Sequence, residues 1–201
     1  MENDILRKYN IILASKSPRR QQLLQGMNIP FEVLLKDTDE SFPISMEVHE
    51  IAEFLSIKKA MAFQNEELPL DFLLIAADTI VVIDNQVLNK PKDRDDAIAM
   101  LSKLSGHEHK VITGVCLRSA NDLVSFSEES AVGFVALTKD EICYYVDNFQ
   151  PYDKAGSYGI QEWIGYIAIE QVRGSFFNVM GLPTHRLYKE LLLFANKNYI
   201  I

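Results

Sequence analysis

Cysteine is scarce in this sequence: Cys116 and Cys143 are the only two among 201 residues, and their spacing is not that of a C-x-x-C metal or redox site. Both lie in apolar surroundings, which predicts two buried thiols. Long hydrophobic runs are also missing, because no apolar run reaches the length of a membrane span and the run before Ser15 is too short for the core of a signal peptide. We therefore expect a cytoplasmic protein that does not enter a membrane.

Positively charged residues are also fewer than negatively charged ones. The 20 lysines and arginines face 28 aspartates and glutamates, and the resulting net charge of −8 argues against binding to nucleic acid or to anionic membranes. An anionic ligand must then be held by a local basic cluster. The length of 201 residues and the hydrophobic fraction of 48% suit one domain, or two closely packed lobes, with a substantial core.

What the sequence does contain is an alternation of short apolar runs and amphipathic segments. This alternation favours an α/β fold with a mixed sheet and flanking helices. Ser17-Pro18 and the pair Thr138 and Glu141 are typical helix starts, the second as a capping box. Strands are predicted at 10–15, 31–36, 72–83 and 165–172, with a turn at Asp84-Asn85 that opens a hairpin after the third strand and a long hairpin around 121–122. Helices are predicted at 17–26, 48–63 and 93–106, the last capped by Asp93, and further helices from 138 and after 183.

The junction between the first strand and the first helix carries one candidate site. Ser15, Ser17, Arg19 and Arg20 place two hydroxyls and two guanidiniums beside the amides of a helix N-terminus. Phosphate suits such a place, because the amides and the helix dipole supply positive charge and arginine binds phosphate with two hydrogen bonds. The same residues are also typical of an ordinary Ser-Pro helix start with two solvated arginines.

Asp78 is a carboxylate inside the most hydrophobic stretch of the chain, 72–83. Burying a carboxylate is costly unless a cation or hydrogen-bond donors meet it. Asp78 is therefore expected to have one of two roles. It is either a functional residue, as a metal ligand or as a base for a water, or a structural residue that caps a turn. Glu40, in the acidic run 37–40, can supply a second carboxylate, and hard oxygen ligands suit magnesium or manganese. That run by itself also fits a solvated loop.

Three further side chains can contact a nucleotide. Lys59 and Lys90 can each reach a polyphosphate as a point charge, although exposed lysines are common on any surface. Gln161 carries an amide that can pair with the edge of uracil or thymine. His107 and His109 alternate as strand neighbours do, but no third ligand stands at zinc-like spacing, so both are predicted to be surface residues. The residues by themselves thus indicate a polyanion site with a divalent metal.

Six motifs occur in one order along the chain: LASKSPRR, IAADTIVV, NKPKD, VITGV, DKAGSYGIQ and NVMGLP. In this order and spacing the chain resembles the Maf family of nucleotide pyrophosphatases over about residues 11–195. The resemblance implies hydrolysis of a nucleoside triphosphate to the monophosphate and pyrophosphate, with a divalent cation. It also implies the α/β fold shared with inosine triphosphate pyrophosphatases, with a mixed, strongly twisted central sheet. The chain, 1–201, is then a single domain whose two lobes flank an active-site cleft.

The resemblance also implies roles for individual residues. Asp78 matches the catalytic aspartate of the family and Glu40 its acidic metal-site residue, so Glu40 and Asp78 are expected to bind Mg²⁺ or Mn²⁺. Asp78-Thr79 and the YGIQ segment match the branch that acts on dTTP and UTP, whereas the 7-methyl-GTP branch differs at both places. The expected phosphate contacts, with Ser17 added from the helix start, are Ser15, Arg19, Arg20, Lys59 and Lys90, and the specificity positions are Arg19, Thr79 and Gln161.

Two positions depart from the family pattern. Asn89 replaces the glycine that commonly precedes Lys-Pro, and Glu162-Trp163 follows Gln161 where a glycine is common. The second departure places a bulky Trp163 beside the expected base pocket. Four aromatic residues, two of them in the preceding helix, fit either a homodimer interface or core packing: Tyr144, Tyr145, Trp163 and Tyr166.

The expected function is hydrolysis of dTTP, UTP and modified pyrimidine nucleotides, which prevents incorporation of noncanonical nucleotides. In the expected mechanism the arginines and lysines hold the triphosphate while Asp78 orients or deprotonates the attacking water. One alternative keeps this chemistry on 7-methyl-GTP. Another is a non-catalytic, nucleotide-binding regulator of septum formation and cell division, which would bind nucleotides without turnover.

Overall fold

A computed structural model describes residues 6–197, which contain seven strands and seven α-helices. The strands are β1 (Asn10–Leu13), β2 (Glu32–Val33), β3 (Phe72–Ile83), β4 (Gln86–Leu88), β5 (Glu108–Arg118), β6 (Leu123–Phe134) and β7 (Ile169–Arg173). The helices are α1 (Pro18–Gly26), α2 (Val48–Met61), α3 (Arg94–Leu104), α4 (Lys139–Phe149), α5 (Trp163–Ala168), α6 (Phe176–Met180) and α7 (Thr184–Lys197). No helix among these residues is long and apolar enough to cross a membrane.

The strands form one sheet in the hydrogen-bonded order β2-β1-β3-β5-β6-β7, and β4 pairs with β3. β1 runs parallel to both β2 and β3, whereas β3 pairs antiparallel with β4 and β6 antiparallel with β7. The sequence β1-α1-β2 is a βαβ unit, in which α1 makes the crossover that a parallel pair requires. The predicted α/β fold with a mixed sheet is confirmed.

The chain divides into two compact units, and β3, β5 and β6 each contribute residues to both. Among the described residues, the first unit comprises 6–78, 113–128 and 181–197, and the second comprises Thr79–Ile112 and Glu129–Met180.

The first unit has a core built from β1, β3, β5 and the end of α2. Buried side chains that share this core are Ile12, Ala60, Phe63, Leu68, Phe72, Leu74, Ala76 and Cys116. β3 is buried along nearly its whole length, as the hydrophobic stretch 72–83 predicted. Residues of β3 near Asp78 are therefore held in place by packing on both faces of the sheet.

In the second unit, a tight turn and two helix caps form where the local sequence favours them. Asp84 and Asn85 have positive φ angles of 50° and 60°, as a type I′ turn requires, and they connect β3 to β4 in the predicted hairpin. Asp93 caps α3 by accepting a hydrogen bond from the Asp96 amide. The predicted capping box of Thr138 and Glu141 opens α4.

Some local predictions are wrong. Residues 165–168 belong to helix α5 and not to a strand, because Ile164 and Ala168 lie one helical turn apart and are both buried. His109 is 2% exposed and is not a surface residue. Cys116 is a buried free thiol as predicted, whereas Cys143 is only partly buried.

The predicted strand 31–36 is shorter than expected, since only Glu32–Val33 pairs with β1. The short helix α6 was not predicted. Of the aromatic residues considered for an interface, Tyr145 is completely buried, whereas Tyr144 and Tyr166 are 50% and 84% exposed. Core packing therefore accounts for Tyr145.

Candidate active site

The loop from β1 to α1 brings two serines together at the start of the helix. Ser15 is buried, and its Oγ accepts a 3.2 Å hydrogen bond from the Ser17 amide. Ser17 holds the N-cap position before Pro18, but its side chain makes no capping bond. A helix start without a side-chain cap presents its amide groups to water or to an anion, and the helix dipole favours the anion.

Arg20, in the first turn of α1, binds three oxygen atoms of the first unit. Its Nε donates to the Gly181 carbonyl at 2.8 Å, and its Nη1 donates to the Ala77 carbonyl at 2.7 Å and to Ser15 Oγ at 3.3 Å. Burial lowers the pKa of the Arg20 guanidinium, and the nearby Asp78 carboxylate acts in the opposite direction. Arg20 thus fixes the backbone of β3 immediately before Asp78.

Lys59 lies between two carboxylates. Its Nζ bonds to Asp78 Oδ1 and lies 2.8 Å from Glu40 Oε1. Asp78 and Lys59 are largely buried, with 12% and 16% of their side-chain surface exposed, and Glu40 is half exposed at 48%. The lysine supplies the cationic partner that a buried aspartate needs, so the structure explains how Asp78 is tolerated in β3.

The position of Lys59 depends on how closely α2 packs on β5. A Cβ atom built on Gly114 would lie only 2.2 Å from the Ala52 carbonyl oxygen, so a glycine is required for the α2 backbone to approach the strand. Arg118 donates from Nη1 to the carbonyls of Ala60 and Phe63, each at 2.7 Å, just after Lys59. These bonds satisfy carbonyls at the C-terminal end of α2.

Sequence reasoning missed both of these residues. Gly114 belongs to the VITGV motif, and an isolated glycine inside an apolar strand is a signal for close backbone approach. Arg118 gave no such signal, because its partners are backbone carbonyls far away in the sequence.

The acidic segment 37–41 is linked to the loop before α1 and to α2 by exposed ion pairs. Lys16 Nζ lies 2.6 Å from Asp37, and Lys58 Nζ lies 2.9 Å from Asp39 and 3.0 Å from the Ser41 carbonyl. The hydrogen bond from Lys16 lowers the pKa of Asp37, and those from Ser41 and Lys58 lower the pKa of Asp39. Each exposed pair adds little stability, but together they set the path of the segment that carries Glu40.

The remaining predicted site residues lie in the second unit, except Arg19, which neighbours Arg20 on α1 and is partly exposed. Thr79 follows Asp78 on β3 and is partly exposed, and Lys90 is exposed after β4. Gln161 lies in the segment before α5, and its Oε1 is buried with no hydrogen-bond partner. A buried amide oxygen in this state can accept a hydrogen bond from a ligand.

The first unit therefore brings together Ser15, Arg20, Glu40, Lys59 and Asp78, with Ser17 and Arg19 adjacent to them in the chain. Within residues 6–197, no three histidine, cysteine, aspartate or glutamate side chains form a group that could hold a metal ion. Glu40 and Asp78 are two carboxylates around one cation, the Lys59 ammonium. This donor set fits Mg²⁺ or Mn²⁺, since Mg²⁺ commonly takes one or two carboxylates and completes its shell with phosphate oxygens and water.

Comparison with known proteins gives consistent matches over nearly the whole chain. The model of a family described as Maf-like protein matches residues 10–194. A protein of Parabacteroides distasonis named dTTP/UTP pyrophosphatase is 54% identical over 92% of this chain and 96% of its own. Proteins of the same name from Porphyromonas gingivalis and Christiangramia forsetii are 49% and 47% identical over 97% and 95% of this chain, and 99% and 97% of theirs.

Among solved structures, that of the Staphylococcus aureus Ham1 protein is 13% identical, with a TM-score of 0.46 over 62% of this chain and 71% of that chain. This TM-score is too low to establish a shared fold.

Proposed function

Because this chain belongs to the Maf-like protein family, we propose that it hydrolyses dTTP and UTP to the monophosphate and pyrophosphate. The observation that carries the proposal is the set of relatives named dTTP/UTP pyrophosphatase, which are about half identical and align over almost the full length of both chains. The cluster of Lys59, Glu40 and Asp78 supports it, because the same three side chains supply the charges that hydrolysis of a phosphoanhydride needs.

The phosphate groups are bound by positive charge from the start of α1 and from two lysines. Ser15, Ser17 and the first amides of α1 receive phosphate oxygens, and Arg19 adds a guanidinium. Lys59 and Lys90 contribute ammonium groups. Arg20 adds its charge from the position that its bonds to Ala77 and Gly181 fix. Such fixed charges stabilise the negative charge that builds up on the phosphates during the reaction.

Glu40 and Asp78 are the residues that would hold a divalent cation, Mg²⁺ or Mn²⁺. When bound, such an ion withdraws electron density from the phosphate oxygens. When the triphosphate binds, Lys59 exchanges its carboxylate contacts for phosphate contacts, which its long side chain permits.

Asp78 orients a water molecule for in-line attack on the α-phosphorus and accepts a proton from it through a carboxylate oxygen. The bond between the α-phosphorus and the bridging oxygen breaks, and pyrophosphate leaves. The monophosphate carries the oxygen of the water. The packing of β3 and the Arg20 bond to the Ala77 carbonyl keep the Asp78 carboxylate in one orientation.

Arg19, Thr79 and Gln161 select the base of the nucleotide. The Gln161 amide pairs with the hydrogen-bonding edge of uracil or thymine, and the unpartnered state of its buried Oε1 supports this role. A site built to hydrogen-bond a base rejects bases that leave its polar atoms without partners. The same pairing accepts modified pyrimidine nucleotides, so the activity removes noncanonical nucleotides before they are incorporated.

A product assay over UTP, dTTP, CTP, GTP and 7-methyl-GTP, with Mg²⁺ or Mn²⁺ and in ¹⁸O-labelled water, tests the proposal. We expect pyrophosphate and labelled monophosphate from UTP and dTTP. Asp78→Asn should abolish this turnover, whereas Asp84→Asn, in the exposed turn that follows β3, should not change it.

Other outcomes contradict distinct parts of the proposal. Orthophosphate release would show attack at a different phosphorus. Preferred turnover of 7-methyl-GTP would assign the other branch of the family. Saturable nucleotide binding with no product under either metal would favour a regulator, and full activity of Asp78→Asn would remove Asp78 from the role of base.

A further inference from the structure

The residues around Gln161 form a tight turn with a hydrogen bond across it. The Glu162 amide donates to the Gly159 carbonyl at 3.0 Å, which closes a four-residue turn from Gly159 to Glu162. Gln161 is the third residue of this turn. Its backbone position is therefore decided by what holds the two ends, Gly159 and Glu162.

One tyrosine hydroxyl holds both ends. The Tyr145 hydroxyl accepts a 3.1 Å hydrogen bond from the Gly159 amide and donates to Glu162 Oε2. Tyr145 is completely buried in α4, so its ring has no freedom to shift. Burial and the Glu162 carboxylate both raise the pKa of Tyr145, which keeps the hydroxyl protonated and able to donate.

The other oxygen of Glu162 is also occupied. Lys154 Nζ lies 3.1 Å from Glu162 Oε1 and 2.7 Å from Asp153 Oδ1, and Lys154 is 7% exposed. A carboxylate with a partner on each oxygen has a single favourable orientation. Glu162 thus links Lys154, in the loop after α4, to the turn that carries Gln161.

Gly159 has no side chain, and this leaves space for the carboxylate of Glu162. A Cβ atom at Gly159 would lie 2.9 Å from the carboxyl carbon of Glu162 and 3.1 Å from each of its oxygens. Only a glycine leaves room for the carboxylate to lie against the turn. Gly159, Tyr145 and Glu162 are consequently one packed unit.

We propose that Tyr145 and Glu162 are positioning residues that fix the direction of the Gln161 side chain and thereby set base selectivity. This inference rests on the proposed function, in which Gln161 pairs with the base. Pairing through an amide requires the oxygen and nitrogen to stand at defined places, so a displacement of about 1 Å weakens the correct pair and with it the rejection of other bases. Neither residue needs to touch the nucleotide for this effect.

The test compares Tyr145→Phe and Glu162→Gln with Tyr144→Phe, the same removal of a hydroxyl at an exposed neighbour on α4. The readout is the ratio of kcat/KM for UTP to that for GTP, because this ratio does not depend on the fraction of enzyme that is folded. We expect Tyr145→Phe to lower the ratio about tenfold and Glu162→Gln about threefold, mainly through a higher KM for UTP. Tyr144→Phe should keep the wild-type ratio.

A second readout needs no turnover. The side-chain amide of Gln161 gives a pair of NMR signals that can be assigned by their loss in Gln161→Ala. These signals should shift in Tyr145→Phe and Glu162→Gln and stay in place in Tyr144→Phe. Unchanged Gln161 signals in both variants would overturn the inference whatever the kinetics show.

The two proposals fail in different ways. If Gln161→Ala lowers the UTP/GTP ratio but Tyr145→Phe does not, the positioning role is wrong and the proposed function stands. If no nucleotide is hydrolysed by the wild-type protein, the proposed function fails, and the NMR signals alone decide whether the turn controls the Gln161 side chain.

Discussion

Arg20 donates a 2.7 Å hydrogen bond to the carbonyl oxygen of Ala77, the residue directly before Asp78. The guanidinium therefore acts on the backbone that carries the central carboxylate of the site. Its second strong bond, 2.8 Å to the Gly181 carbonyl, ties the same side chain to the start of the last helical region. One side chain from α1 thus connects two segments that are distant in the sequence.

Arg20→Lys should reduce both activity and stability. A lysine has one ammonium group and cannot reproduce the planar set of donors that reaches Ala77 and Gly181 together, so at least one buried carbonyl loses its partner. We expect about a tenfold loss of kcat and a melting temperature lower by about 5 °C, measured by steady-state kinetics and calorimetry. The matched control is Arg94→Lys, in an exposed pair with Asp147, which should change neither quantity appreciably. Equal effects of both variants would contradict a specific role for Arg20.

Lys59→Gln should remove most of the activity. Without the ammonium, the buried carboxylate of Asp78 and the nearby Glu40 lose their shared cation, and the substrate loses a phosphate contact. We expect kcat/KM for UTP to fall by about a hundredfold. Lys58→Gln, the adjacent lysine in an exposed pair with Asp39, should lower it less than about threefold. A similar loss in both variants would point to a general effect of charge on nucleotide attraction.

Gly114→Ala should destabilise the first unit. The added methyl group would lie 2.2 Å from the backbone of Ala52, and backbone atoms cannot move aside without displacing α2. We expect the free energy of unfolding to fall by about 3 kcal/mol in urea titrations, with a loss of activity because α2 carries Lys59. Gly133→Ala, on β6, is the matched control, since its nearest atoms lie at 3.9 Å. Wild-type stability of Gly114→Ala would show that α2 does not pack as closely on β5 as described.

His109 should make stability depend on pH below neutrality. Burial lowers the pKa of His109 to about 4, below the ordinary value of 6.5, and its Nε2 shares a 2.8 Å hydrogen bond with the Tyr158 hydroxyl. Between these two pH values the unfolded chain binds the proton more readily than the folded one. The stability is therefore complete above pH 6.5 and is lost as the pH falls towards 4, by about 3 kcal/mol.

Urea unfolding between pH 7.5 and 4.5 measures this effect. His109→Gln should flatten the pH dependence in that window, whereas His107→Gln, at an exposed position, should leave it unchanged. If the slope of stability against pH is the same in His109→Gln and wild type, other groups are responsible for the acid sensitivity.

Local chemistry made much of the fold predictable. Ser17-Pro18, Asp93 and the Thr138/Glu141 pair marked helix starts, and Asp84-Asn85 marked a hairpin, because caps and tight turns depend on residues within three or four positions. The same approach was wrong at 165–168. There the β-branched and aromatic residues favour a strand, but the burial of Ile164 and Ala168 on one face selects a helix.

The sequence also made Asp78 recognisable, since an aspartate within an apolar strand has to be paired, but it did not identify the partner. Lys59 and Glu40 lie 19 and 38 positions away, and only the packing of α2 on β5 and the course of the acidic segment place them at the aspartate. The sequence by itself therefore determined the α/β class, the starts of α1, α3 and α4, the turn between β3 and β4, and the types of residue that the chemistry requires. The tertiary structure decided that Arg20 and Arg118 bind backbone carbonyls, that His109 and Tyr145 are buried, and that Glu162 supports the turn of Gln161, because each of these depends on contacts between distant segments.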